Sequence, residues 1–170
     1  MGKRTYASVE EAEAFGEKFY LECLKQGVEE ARKVYFISDG AVWIKKKLKA
    51  DYFPRAVGVL DIWHLERSQR VERLKPLALE GKAEQIVDGL VGEAFRDRLG
   101  SEEIFRLAEY VMNNAEWIRN IPEVKGYGSG PVEKMVDITV LRRFKKRGMS
   151  WLRDGVNLLL ELRLLKLNGE

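Results

Sequence analysis

One cysteine, one histidine and four prolines stand in 170 residues. A lone Cys23 cannot close an internal disulfide, and its place beside Phe19 and Leu24 in a helical pattern suits ordinary packing. With a single histidine beside it, a structural zinc site has too few ligands. The longest apolar runs, such as "VNLLLEL" near the C-terminus, fall far short of the roughly 20 residues a membrane-spanning helix needs. No basic start leads into an apolar segment, so the expectation is a cytoplasmic chain with no export signal and no membrane partner. Internal repeats and low-complexity stretches are absent too. Neither sign of charge dominates, since 30 Lys and Arg face 27 Asp and Glu, and a net +3 names no partner. What is present is 45% hydrophobic residues with four Trp, enough to fill the core of one soluble domain with room for a lobe.

Charge is uneven along the chain. From Lys134 onward there are nine Lys or Arg against four Asp or Glu, and "RRFKKR" is basic at Arg142, Arg143, Lys145, Lys146 and Arg147. Such a run is most often a solvated helix face, and it is also what a phosphate-contacting surface needs.

Ser8 followed by Glu11 makes a capping box, and Val9, Ala12, Phe15, Phe19 and Cys23 recur at helical spacing, predicting a helix from 9 to about 26. Gly27 stops it. Residues 34–38 form a β-branched and aromatic run without alternation, which predicts a strand covered on both faces. Asp39 and Gly40 break that strand, 41 to about 50 reads as a helix ended by Phe53-Pro54, and 56–60 gives a second apolar strand. Strand, crossover helix, strand is the signature of a parallel pair. Helical periodicity then fills 62–79, 83–99 and 102–118, a lobe in which Ser101 is placed as an N-cap. The glycines of "KGYGSGP" form the longest loop. Pro131 opens a helix carrying Val132, Val136, Val140 and Phe144 on one side, and a leucine-rich helix from 152 to 167 closes the chain. The division expected is a partial α/β core over 1–61, a helical insertion over 62–122, and C-terminal helices over 123–170 that complete the core.

Asp39 in "ISDG" and Asp61 in "VLDIWH" each end a strand, at the edge where open α/β sheets bind ligands. Each also precedes a helix, and taken alone capping is favoured about two to one, since helix starts far outnumber active sites. Glu133 falls in the first turn of its helix, where it favours the dipole and can reach back to a free N–H. In combination, however, strand-end carboxylates and one helical glutamate can converge on a pair of Mg²⁺ ions that clamp a phosphodiester. Asp137, one turn beyond Glu133, serves either as an auxiliary ligand or as a partner for Lys134 or the basic residues after Leu141. "GYGSG" lacks the Gly-Lys-Ser/Thr ending of a P-loop, no nucleophile elbow is present, and His64 at a helix start is more often packed than catalytic.

"RTYAS", "ISDGAVWI", "FPRAVGVLDIWHLER", "GYGSGPVE" and "LRRFKKRGMSW", in this order and at about these distances, resemble DDE transposases of prokaryotic insertion sequences related to the Mutator-like group. The resemblance touches nearly the whole chain. It implies a mostly helical α/β chain with a partial RNase H-like domain, two parallel strands and a crossover helix, carrying an all-helical insertion. It further implies Mg²⁺- or Mn²⁺-dependent DNA strand transfer at transposon ends, with Asp39 and Glu133 as catalytic metal ligands. Asp61 and His64 match the short acidic-x-x-His motif near the active site, and Arg142, Arg143, Lys145, Lys146 and Arg147 would hold DNA.

The first catalytic aspartate of that family belongs on a strand upstream of the aligned region, and no strand precedes Val34. The expectation is therefore a C-terminal transposase fragment, inactive alone, with an open apolar edge on the 34–38 strand. That edge invites either a separately encoded N-terminal fragment or a homo-oligomer. The alternative is a DNA-binding or regulatory remnant without catalysis.

Overall fold

A computed structural model describes residues 3–61, 73–96, 101–124, 134–144 and 150–169, and the backbone alone at 143, 153 and 154. They fall into two compact units. One comprises Met1–Arg32, Lys46–Pro54 and Gly130–Glu170, the other Lys33–Lys45 and Arg55–Ser129. Among the described residues no helix is long and apolar enough to cross a membrane.

The second unit holds the expected parallel pair, β1 (Tyr35–Ser38) and β2 (Val57–Leu60). Tyr35 pairs with Val57 and Ser38 with Leu60. β1 is half-buried along its whole length, whereas Gly58, Val59 and Leu60 are buried. Beneath the sheet lie α2 (Lys75–Leu79), α3 (Ala83–Arg96), α4 (Ser101–Asn113) and α5 (Ala115–Arg119), then a 3-10 turn over Ile121–Val124. Ile86, Leu90, Ile104, Val111 and Ile118 fill one core with Val59 and Leu60. Trp117 lies so close under β2 that a Cβ at Gly58 would overlap its indole, and its ring meets Phe36 edge-on at 6.3 Å. Gly58 is thus the strand residue that lets the helical layer approach.

The single helix expected over 102–118 is two helices, because Asn114 leaves helical geometry at φ −115°, ψ 11°. Its side chain donates back to the Tyr110 carbonyl at 2.8 Å, an amide competing with the backbone ladder.

The first unit is stitched by aromatic rings. Helix α1 (Ala12–Leu24) begins later than the capping box predicts, with Glu11 at its N-cap and no side-chain cap. The preceding segment is held instead by the C-terminal helix α6 (Arg153–Asn168). The Val9 N–H donates to Asn157 Oδ1 at 2.8 Å, and the Thr5 N–H donates to Asn168 Oδ1 at 2.9 Å. Phe15 stacks on Phe19, which meets Phe53 at 5.7 Å, while Tyr20 contacts Tyr52 and Phe53.

Among the described residues two helical stretches are wound wide, as π-helix: Ile44–Tyr52, whose later residues belong to the first unit, and Asp137–Leu141. In the latter Thr139 is the buried residue and Val136 is exposed. The face predicted from 3.6-residue periodicity is therefore rotated. Wide winding loosens the carbonyls of that turn, and Arg163 donates to those of Ile138 and Thr139, the latter at 3.1 Å.

Candidate functional site

The site lies in the second unit, where the register places its two aspartates. Ser38 pairs with Leu60, and the Asp61 N–H donates to the Ser38 carbonyl at 2.8 Å. Asp39 and Asp61 therefore leave the C-terminal edge of neighbouring parallel strands side by side. Asp39 is half-buried, and its Oδ1 accepts the Ala41 N–H at 3.0 Å while Ser38 Oγ accepts the Gly40 N–H at 3.2 Å. These two bonds turn the chain into the helix that starts at Val42. Asp39 is therefore not the N-cap its place before the helix suggests: Ala41, whose carbonyl accepts the Lys45 N–H, holds that position, and the Asp39 carboxylate closes an Asx turn two residues ahead of it. Asp61 is only 2% exposed, a depth at which a carboxylate orders its surroundings more readily than it meets a ligand.

Gly40 has φ +73°, and a Cβ there would overlap Asn114 Oδ1. From α4 the Tyr110 hydroxyl donates to the Asp39 backbone carbonyl at 2.7 Å. Burial, then the charges of Asp39 and Asp61, push its phenol up to about 12, so the hydroxyl keeps its proton and remains a donor. Buried Asn114 accepts from Lys45 Nζ at 3.2 Å. That ammonium also donates to the Asn113 carbonyl and lies 5.4 Å over the Trp117 ring. Burial lowers the Lys45 pKa, opposed by the nearby Glu116 charge. The result is a strand-end turn held by Tyr110 from α4, by Asn114 just past the end of that helix against Gly40, and by Lys45, which bonds Asn114 in turn. These three have no motif of their own, and only tertiary packing brings them to Asp39.

Chemically, Asp39 offers hard oxygen to a divalent cation, with Oδ1 partly engaged by Ala41. Among the described residues no three His, Cys, Asp or Glu side chains converge as a metal-binding group. Glu133, His64, Lys145, Lys146 and Arg147 lie outside the described residues, as does the side chain of Arg143. Arg142, in the first unit, is exposed and pairs with Asp137 at 2.7 Å, the second of the two roles expected for Asp137.

The model of an uncharacterised protein family, UPF0236, matches residues 3–170. Several curated UPF0236 proteins of Caldanaerobacter subterraneus subsp. tengcongensis are similar to this chain. TTE0402 is 27% identical over 153 residues, covering 83% of this chain and 30% of its own length. TTE2489 is 26% identical over 153 residues, covering 83% and 32%. A third, whose name joins eleven designations from TTE0033 to TTE2212, is 24% identical over 152 residues, covering 83% and 32%. The chain spans about a third of the length of these relatives. No solved structure matches it. Matched by the family model from residue 3 to residue 170, the chain belongs to the UPF0236 family.

Proposed function

We propose that this chain is part of a DDE-type transposase and supplies Asp39 and Glu133 to a Mg²⁺- or Mn²⁺-dependent site that cleaves and joins DNA strands. The reading is carried by one observation, the two aspartates side by side at the C-terminal ends of neighbouring parallel strands. The carboxylate of Asp39 suits a hard cation, and a bound metal pair would stabilise the attacking and leaving oxygens of a phosphodiester. Asp61, buried beside it, suits the positioning of that edge. Arg142, Arg143, Lys145, Lys146 and Arg147 then hold the phosphate backbone, with His64 near the site. A relative whose name joins eleven designations of one organism adds support, because one product from many loci is the trace expected of a sequence that moves in copies.

The resemblance assigns two of three catalytic carboxylates to this chain. Two carboxylates hold a metal pair weakly, so the isolated chain binds duplex DNA without cutting it. A second reading, DNA binding without catalysis, is favoured by the exposure of Arg142 on the described part of the basic run. Fluorescence anisotropy with duplex DNA tests the shared part. Replacing Arg142, Arg143, Lys145 and Lys146 with Ala should weaken binding and flatten its salt dependence by about four counterions. Unchanged affinity would remove DNA from both readings. Nicking of DNA by the isolated chain with Mn²⁺ would show the two-carboxylate account to be wrong.

A further inference from the structure

Asp39 is held through both its carboxylate and its carbonyl by one closed ring of hydrogen bonds. Its Oδ1 accepts the Ala41 N–H at 3.0 Å, the Ala41 carbonyl accepts the Lys45 N–H at 3.1 Å, and Lys45 Nζ donates to Asn114 Oδ1 at 3.2 Å. Asn114 Nδ2 donates to the Tyr110 carbonyl at 2.8 Å, and the Tyr110 hydroxyl returns to the Asp39 carbonyl at 2.7 Å.

Lys45 settles a choice that a primary amide otherwise leaves open. Asn114 is 2% exposed, so its oxygen and nitrogen have to be matched from within the protein. Turned over, its NH₂ would face the Lys45 ammonium, donor against donor, and its oxygen would face the Tyr110 carbonyl. The ammonium therefore selects the orientation in which Oδ1 lies against Gly40, in the place a Cβ would take. Lys45 itself is held on three sides, since Nζ also donates to the Asn113 carbonyl and lies over the Trp117 ring. Desolvating an ammonium costs free energy, and a fixed position is what these contacts give in return. We propose that Lys45 is a positioning residue for Asp39: through Asn114 and the Gly40 turn it sets the direction in which the carboxylate presents Oδ2, the oxygen that the ring does not use.

This rests on the reading of Asp39 as a metal ligand, and the sign of one effect tests it. As a positive charge Lys45 repels a cation at that carboxylate, whereas as a positioning residue it favours binding by holding the ligand oxygen in place. Mn²⁺ titration of the whole chain, followed by electron paramagnetic resonance, compares wild type, Asp39→Asn and Lys45→Met. Lys45→Met should weaken binding about tenfold, as loss of a residue that orients a metal ligand does. In the same variant the Ala41 amide, which bonds Asp39 Oδ1, should exchange its hydrogen faster by nuclear magnetic resonance. The Val57 amide, bonded to the Val34 carbonyl at 2.9 Å between the strands, should exchange as in the wild type. Binding by Lys45→Met that equals or exceeds wild type, while Asp39→Asn loses it, overturns the proposal and leaves the metal reading standing. Equal affinity in wild type and Asp39→Asn overturns that reading and the proposal with it. Unchanged Ala41 exchange in Lys45→Met overturns the ring whatever the metal does. Faster exchange at Val57 in step with Ala41 would make Lys45 a residue of general stability and also overturns the proposal.

Discussion

Gly40 is where backbone and site depend on one residue. Its φ of +73° and the Asn114 oxygen in the place of a Cβ mean that Gly40→Ala combines a left-handed backbone with a steric clash. A loss on the order of 3 kcal/mol is expected in a urea melt. Tyr110→Phe should cost about 1 kcal/mol near neutral pH by removing the bond to the Asp39 carbonyl. The phenol's folded pKa, about 12, lies above its unfolded value of 10.0. Its contribution is therefore full below pH 10 and lost as pH rises toward 12, because the unfolded chain gives up that proton first. Thermal melts of the two proteins should converge across that window. The Asp39-Gly40 break after an apolar run was legible in the sequence because a turn residue pair announces itself locally. Tyr110 and Asn114 were not, since the first looks like any aromatic on an amphipathic helix and the second like any polar residue within the helix expected over 102–118.

At the scale of elements, the π-wound turn over Asp137–Leu141 has two consequences that stability measurements can separate. Arg163 donates to its carbonyls of Ile138 and Thr139, so Arg163→Met should destabilise by about 1–2 kcal/mol, leaving acceptors unmet. Thr139 is 1% exposed and its Oγ1 has no hydrogen-bond partner among the described residues. Thr139→Val should therefore be neutral or stabilising by up to about 1 kcal/mol in the same melt. The 3.6-residue rule placed Val136 and Val140 inward and could not see Thr139, because wide winding is not encoded in hydrophobic spacing. The capping box at Ser8 misled for a related reason. Asn157 and Asn168 on α6, nearly 150 or more residues away in sequence, take the backbone groups of Val9 and Thr5, and a long-range pairing outweighs a local cap of about 1 kcal/mol. The parallel strands were legible because a β-branched run between glycine-bearing turns has few other outcomes.

For the whole molecule, charge and site lie on different parts of the chain. The strand-end aspartates belong to one unit, while the described part of the basic run belongs to the other. Metal binding by Asp39 is read out by Mn²⁺ titration followed by electron paramagnetic resonance. The wild-type chain should bind Mn²⁺ weakly, Asp39→Asn should lower that affinity about tenfold or more, and Asp61→Asn, altering a buried side chain, should leave it near wild type. Equal Mn²⁺ affinity in the wild type and Asp39→Asn would contradict the account.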